Sequence, residues 1–202
     1  MPDAARDASV GAWITSDLLH NWPASGKEPR ASTVSFHHAD NQVGDTPYRE
    51  TISFKPFGPV DNGSQKLYGL DYKMAAWREG EDDPFHTEVG YWLWCSQLGH
   101  VMRGFVIPRG SVILAGGEAA PDATEFTLRA VAGDETYGMS SNPYLVEKAR
   151  CTRYEVTISV DGDEFTYDET SVLEMAELDE PLDHTDRNTL KRVQTYELPP
   201  PA

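Results

Sequence analysis

Basic residues are scarce in this chain. Lys and Arg number 17 against 33 Asp and Glu, and the formal charge over 202 residues is −16. Phosphate backbones are bound by net positive surfaces, so nucleic acid is excluded as a partner. An anionic membrane surface is excluded on the same ground. Cysteine is nearly missing: Cys95 and Cys151 stand far apart. No disulfide framework is indicated, and two buried thiols in a reducing compartment are expected. No apolar run reaches the roughly 18 residues of a membrane-crossing helix. Residues 1–8 hold two Asp and no apolar stretch, which does not suit a secretory leader. The expected location is the cytoplasm. HxxxH, CxxC, GxSxG, P-loop and GxGxxG patterns are all missing, so no metal, hydrolase or nucleotide motif can be read from spacing.

What is present is a β pattern. Hydrophobic residues make up 39% of the chain, enough for one domain with a core. Residues 1–47 read as a partly irregular N-terminal segment with a first strand, 48–198 as the ligand-binding domain, and 199–202 as a tail. From Tyr48 onward, short alternating runs follow one another at hairpin spacing. Tyr48, Ile52 and Phe54 share one face of a strand, and Glu50 shares it with them, which is unusual for a core strand. Further runs cover 67–77, 86–94, 101–107, 111–114 and 125–131. Gly116-Gly117 is expected to end the fourth of these. A helical turn is expected near 145–149. Tyr154, Val156, Ile158 and Val160 alternate cleanly, and Asp161-Gly162-Asp163 predicts a tight turn back into 164–170. A last run, 189–198, is expected to close the sheet.

About ten antiparallel runs with little helical periodicity predict an all-β fold. A sheet of that size curls or closes to remove its edges. The first expectation is an up-and-down, calycin-like β-barrel of about ten strands, and the second a two-sheet sandwich. A barrel of that width has room for a small ligand.

Two histidines stand out among the six. His86 begins a strand in which Glu88, Gly90, Trp92 and Trp94 share its face. His184 sits in Asp183-His184-Thr185-Asp186-Arg187-Asn188, a polar loop that runs into the last strand. On pattern alone, each also reads as an ordinary structural histidine. His37-His38 read as loop residues.

Several segments together carry a resemblance. These are Gly11-Ala12-Trp13, Tyr48 to Phe54, Phe85-His86-Thr87-Glu88-Val89-Gly90-Tyr91, Ile107-Pro108-Arg109-Gly110 with Leu114 to Gly117, and His184 to Leu190. The chain resembles the nitrobindin-like heme-binding β-barrel family, once described as fatty-acid-binding-protein-like. The resemblance implies a ten-stranded barrel with one b-type heme near its mouth. His184 would be the iron ligand, and His86 would be the catalytic residue on the other side of the iron or at the porphyrin edge. Phe85, Ile107 and Phe54 would contact the cofactor, with Leu67, Tyr72, Met74 and Val112 completing the wall. Asp183, Asp186 or a backbone carbonyl would fix the ring of His184. Arg49, Arg103, Arg109 and Arg153 are the cations available to the propionates. The implied activity is on nitric oxide and peroxynitrite, so the partners are small molecules, and a homodimer is compatible.

The chain departs from the family pattern at Ile14 to Asp17, at Phe85 and after His184. Residues 134–149 look like an insertion that could cover the barrel mouth. Two other readings stay open: a non-catalytic carrier of a fatty acid, another apolar ligand or another tetrapyrrole, and an enzyme without heme that uses Glu50, His86 and Glu88 as acid and base.

Overall fold

The alternating runs become strands. A computed structural model of the chain describes residues 20–23, 32–37 and 42–195. The Gly11-Ala12-Trp13 segment and the proline-rich tail lie outside the described residues. The strands are β1 (His20–Pro23), β2 (Ser32–His37), β3 (Gln42–Asn62), β4 (Gln65–Arg78), β5 (His86–Cys95), β6 (His100–Ile107), β7 (Ser111–Glu118), β8 (Glu125–Val131) and β9 (Met139–Ser141). A short helix α1 (Pro143–Lys148) follows, then β10 (Ala149–Asp161), β11 (Glu164–Met175), β12 (Leu182–Lys191) and β13 (Gln194–Thr195). The turn from β10 to β11 needs a left-handed residue, and Gly162 supplies it at φ 55°.

The order β3-β2-β12-β11-β10-β8-β7-β6-β5-β4, with β4 pairing back onto β3, makes a closed ten-stranded antiparallel barrel. Closure removes the sheet edges. The barrel takes up strands from ahead of Tyr48: β2 bridges β12 to β3 through Val34↔Thr185 and Thr33↔Thr46. Farther along, β3 pairs with β1, which in turn pairs with β13.

Two expectations about strand boundaries are corrected. Gly116-Gly117 do not end a strand, because β7 continues to Glu118. A Cβ on Gly116 would lie 2.2 Å from the Tyr137 ring, and one on Gly117 2.1 Å from the Thr127 carbonyl oxygen. These glycines permit close approach at the β7–β8 seam. His184 is also not in a loop. It lies within β12, opposite Ser171 of β11, and the polar run around it is a strand whose inward side chains face a cavity.

The interior is layered. At one end Phe54, Trp92, Trp94, Phe126, Phe165 and Leu190 are all buried and plug the barrel. The Trp92 ring stands edge-on to Phe54, Phe126 and Phe165, with centroids 6.3, 6.4 and 6.5 Å away. Each such side chain contributes roughly 1.5–3 kcal/mol through burial. Leu67 belongs to this end and does not line the cavity, a correction to its expected place in the ligand wall. A polar layer crosses the middle: Glu50, Glu88, Arg103 and Asn188 are all buried. The other end is open.

Candidate functional site

The open end leads into a cavity of about 880 Å³, within the roughly 300–1,000 Å³ of small-molecule and cofactor sites. Its floor is the aromatic plug, and the polar layer forms its lower walls. Around the mouth stand Phe85, His86, Ile107, Met139, Leu145, Cys151 and His184. Residues 134–149 supply part of that rim. β9 pairs with β7 there, and α1 is capped by the Asn142 side chain, which accepts from the Leu145 amide at 3.1 Å. Cys95 is buried and Cys151 only half-buried, and both are free thiols.

The structure brings His86, His184, Phe85, Ile107 and Phe54 to one cavity. Their depths differ. Phe54 is 1% exposed and stacks on Tyr72 at 5.7 Å, so it belongs to the floor. Phe85 is at the mouth, edge-on to Tyr48 at 5.9 Å. His86 on β5 and His184 on β12 are separated by β4, β3 and β2 on one side of the ring, so they project from opposing walls.

His184 is half-buried. Its Nδ1 donates to the Val34 carbonyl oxygen at 2.8 Å, and its Nε2 lies 3.2 Å from Asp186 Oδ2. The orienting acceptor is therefore a backbone carbonyl. Asp183 is exposed, and Asp186 sits at the other ring nitrogen. Burial alone would lower the pKa of His184. The Asp186 carboxylate outweighs burial and raises it.

His86 Nε2 meets Glu88 Oε1 at 3.1 Å. Glu88 Oε2 accepts from Arg103 Nη2 at 2.5 Å and from the Tyr72 hydroxyl at 2.6 Å. Burial would raise the Glu88 carboxyl, but Arg103, His86 and Tyr72 hold it down at about 2. Glu88 is thus ionised and fixes the His86 ring as a hydrogen-bond acceptor. Arg103 Nη1 also donates to Glu169 Oε2 at 2.8 Å and to the Tyr154 hydroxyl. This corrects the expectation that Arg103 is free for a propionate: it is locked inside the barrel between two carboxylates. Arg49 covers the Trp77 ring on the outside, and Arg153 is exposed on β10; neither lines the cavity. Arg109 does line the mouth and donates to the Phe85 carbonyl at 3.1 Å.

Some residues were missed by the sequence reading. Arg78 lines the mouth with its guanidinium 4.6 Å from the Phe85 ring centroid. Tyr167, Glu169, Tyr154 and Asn188 complete the polar layer. A signal for two of them existed: Phe165, Tyr167 and Glu169 alternate on one face of β11, and that face turns polar toward the cavity as the Glu50 face does.

Glu50 is the second inward carboxylate. Its Oε2 accepts from the Tyr167 hydroxyl and from Asn188 Nδ2, both at 2.7 Å. Tyr48 extends the chain, 2.6 Å from the Tyr167 oxygen. Glu50 Oε1 has no partner. Burial raises the carboxyl to about 7, against the partial relief from Asn188 and Tyr167. With Oε2 accepting from two donors, Oε1 is the oxygen left to carry the proton when the carboxyl is neutral.

The THAP4-like heme-binding β-barrel domain family matches residues 10–192. The chain belongs to this family. No curated protein matches. Among solved structures, "Crystal Structure of Rv2717c from M. tuberculosis" is similar at 17% identity with a TM-score of 0.63, covering 91% of this chain and 98% of that one. That likeness supports the fold. Membership in the heme-binding family makes heme the cofactor of this domain.

The cavity fits that cofactor. Among the described residues, no three His, Cys, Asp or Glu side chains come together to hold a bare metal ion. A lone imidazole suffices where the iron arrives within a porphyrin. The apolar rim and the two rim arginines, Arg78 and Arg109, suit a flat apolar ring with acidic substituents. No helix among the described residues is long and apolar enough to cross a membrane.

Proposed function

We propose that His184 holds the iron of a b-type heme in the cavity mouth and that the loaded protein converts peroxynitrite and binds nitric oxide. The observation that carries this reading is the pose of His184. Its Nδ1 is engaged by the Val34 carbonyl, which aims Nε2 at the cavity. Ligation would require Nε2 without its hydrogen while Nδ1 keeps its bond to Val34; Asp186 Oδ2 stands 3.2 Å from Nε2. Phe85 and Ile107 line the mouth as apolar contacts, and Arg78 and Arg109 neutralise the acidic edge. Bound ferric heme supplies a Lewis acid for the peroxo oxygen.

The residues supply the rest. His86 faces the mouth from the wall opposite His184, its ring held by Glu88 with Arg103 and Tyr72 behind it. An ionised Glu88 requires hydrogen on His86 Nε2, so the ring is held in one orientation at the cavity wall. Deeper in the same cavity, burial raises the Glu50 carboxyl to about 7, so it exchanges its proton near neutral pH. The departures at Phe85 and after His184 leave this arrangement intact. Phe85 packs on Tyr48, and the polar run after His184 is the inward face of β12.

The test is stopped-flow decay of peroxynitrite with the heme-loaded protein. Faster decay, with nitrate as the product, is expected. His86→Ala should slow it by roughly 100-fold, the scale of a positioned proton-transfer group. Decay no faster than in buffer would contradict the reading, and full rate in His86→Ala would remove His86 from it.

A further inference from the structure

Four tyrosines point into the barrel, Tyr48, Tyr72, Tyr154 and Tyr167, and all four are buried. Burial raises the pKa of each phenol, so each keeps a hydrogen to donate. Their acceptors are of two kinds. Tyr72 donates to Glu88 Oε2 at 2.6 Å, and Tyr154 to Glu169 Oε2 at 2.7 Å. Arg103 donates to both of these carboxylates and to both phenol oxygens. Tyr48 and Tyr167 are arranged otherwise. Tyr167 gives its one hydroxyl hydrogen to Glu50 Oε2 at 2.7 Å, so Tyr48 is the donor in the 2.6 Å contact between the two phenols. The other donor to Glu50 is the neutral Asn188 amide.

That difference decides which phenol can lose an electron. Removing an electron alone would leave a bare positive charge in the barrel interior, which is costly. The proton has to leave with it. A carboxylate held by a guanidinium is a weak base, and Glu88 at about 2 takes no proton near neutral pH. The charge of Arg103 also opposes loss of an electron beside it. Glu50, raised to about 7, is the stronger base once ionised. Along β3 the inward positions run from Tyr48 beside Phe85 at the mouth, through Glu50, to Phe54 on the floor. The chain of hydroxyls therefore starts at the mouth and ends on the base.

We propose that Tyr48 and Tyr167 form an electron-donating pair for a heme site oxidised by a hydroperoxide, with Glu50 as the proton acceptor. This rests on the reading of a heme in the cavity mouth. A hydroperoxide takes two electrons from such a site as its O–O bond breaks. Tyr48 returns one of them and leaves a deficit of one. Its O–H bond breaks as the electron departs, and its proton passes to the Tyr167 oxygen. Tyr167 hands its own proton to Glu50 Oε2. What remains is a neutral Tyr48 phenoxyl, an intact Tyr167 phenol and a neutral Glu50 carboxyl. The charged and titratable groups that share the cavity with Glu50 are Arg78 from β4, His86 and Glu88 from β5, Arg103 from β6, Glu169 from β11, and His184 and Asp186 from β12. Glu88 and Asp186 raise the Glu50 carboxyl. Arg103 is taken up by Glu88 and Glu169, and Arg78 at the rim pairs with Glu81 at 3.4 Å.

The test has two arms, both on the full chain. In the first, heme-loaded protein with its Soret shift already recorded is mixed with hydrogen peroxide, frozen and read by electron paramagnetic resonance. A tyrosyl signal is expected. It should be lost in Tyr167→Phe, which cuts the proton path, and in Glu50→Gln, which removes the base. In the wild type it should fall about tenfold for each pH unit below about 7, as the carboxylate fraction of Glu50 does. Tyr91→Phe, on the outer face, should leave it unchanged. In the second arm the apoprotein is oxidised by azide radicals in pulse radiolysis, and the long-lived phenoxyl absorption should be lost in the same two variants. A tyrosyl signal that survives in both variants, or that is flat with pH, overturns the proposal. So does a wild type that shows the Soret shift and gives no tyrosyl signal. A missing Soret shift together with the expected loss in the second arm contradicts the heme in the mouth and leaves the tyrosine pair as the electron donor.

Discussion

Glu88 and Glu50 face the same cavity from β5 and β3, with one strand between them, yet they hold opposite charge states. Both are buried, 3% and 1% exposed. Glu88 has the Arg103 guanidinium at 2.5 Å and stays ionised. Glu50 has only neutral donors, Tyr167 and Asn188, and keeps its proton to about pH 7. Burial pushes both carboxyls the same way, so the position of one arginine decides the outcome. Carboxyl pairs driven apart in this way mark where acid and base roles divide.

The largest expected effect comes from removing the arginine. Arg103→Leu strands Glu88 and Glu169 without their cation and should cost about 3–5 kcal/mol of stability, read from the urea midpoint. Adding Glu88→Gln should recover part of the loss. A midpoint shift under about 1 kcal/mol would mean that Arg103 does not control the pair.

The next effect is on pH dependence, and its sign differs between the two carboxyls. The Glu88 pKa is depressed from 4.5 to about 2. Its contribution is present above pH 4.5 and is lost as pH falls through 2. The Glu50 pKa is raised from 4.5 to about 7. There the folded state holds a proton that the unfolded chain has released, so stability falls as pH rises between 4.5 and 7. That gap amounts to about 3 kcal/mol. Glu50→Gln should match the wild type near pH 4.5 and exceed it by up to that amount above pH 7. Urea unfolding of both proteins at a series of pH values measures the difference directly, and parallel curves would rule out a buried proton on Glu50.

A smaller effect is expected one bond away. Tyr167→Phe removes a donor to Glu50 Oε2 and an acceptor from Tyr48, at a cost of about 1–3 kcal/mol. It should also move the Glu50 titration upward. Smallest of all is an ion pair on the outer face. Arg129→Ala breaks the exposed contact with Glu155 and should change stability by less than about 1 kcal/mol.

Much of this was legible in the sequence, for physical reasons. Side-chain alternation placed Tyr48, Glu50, Ile52 and Phe54 on one face, and that face is the inward one. The turn at Asp161-Gly162-Asp163 and the strand beginning at His86 were equally plain. The polar layer was less so, because Arg103 meets Glu88 on the adjacent strand but Glu169 across 66 residues. Only barrel closure brings β6 and β11 together. β12 was misread as a loop because its inward residues His184, Asp186 and Asn188 are polar. Strand alternation shows itself as apolar against polar, and a strand that faces a polar-lined cavity loses that contrast. Arg78 was overlooked because nothing local sets it apart from other charged residues at strand ends.

The account rests on His184 as the iron ligand, and one titration tests it most directly. Hemin is added to the apoprotein of the wild type, His184→Ala and His86→Ala, and the Soret band is recorded. A saturable shift is predicted in the wild type and in His86→Ala, and its loss in His184→Ala. The same shift in His184→Ala would contradict the account.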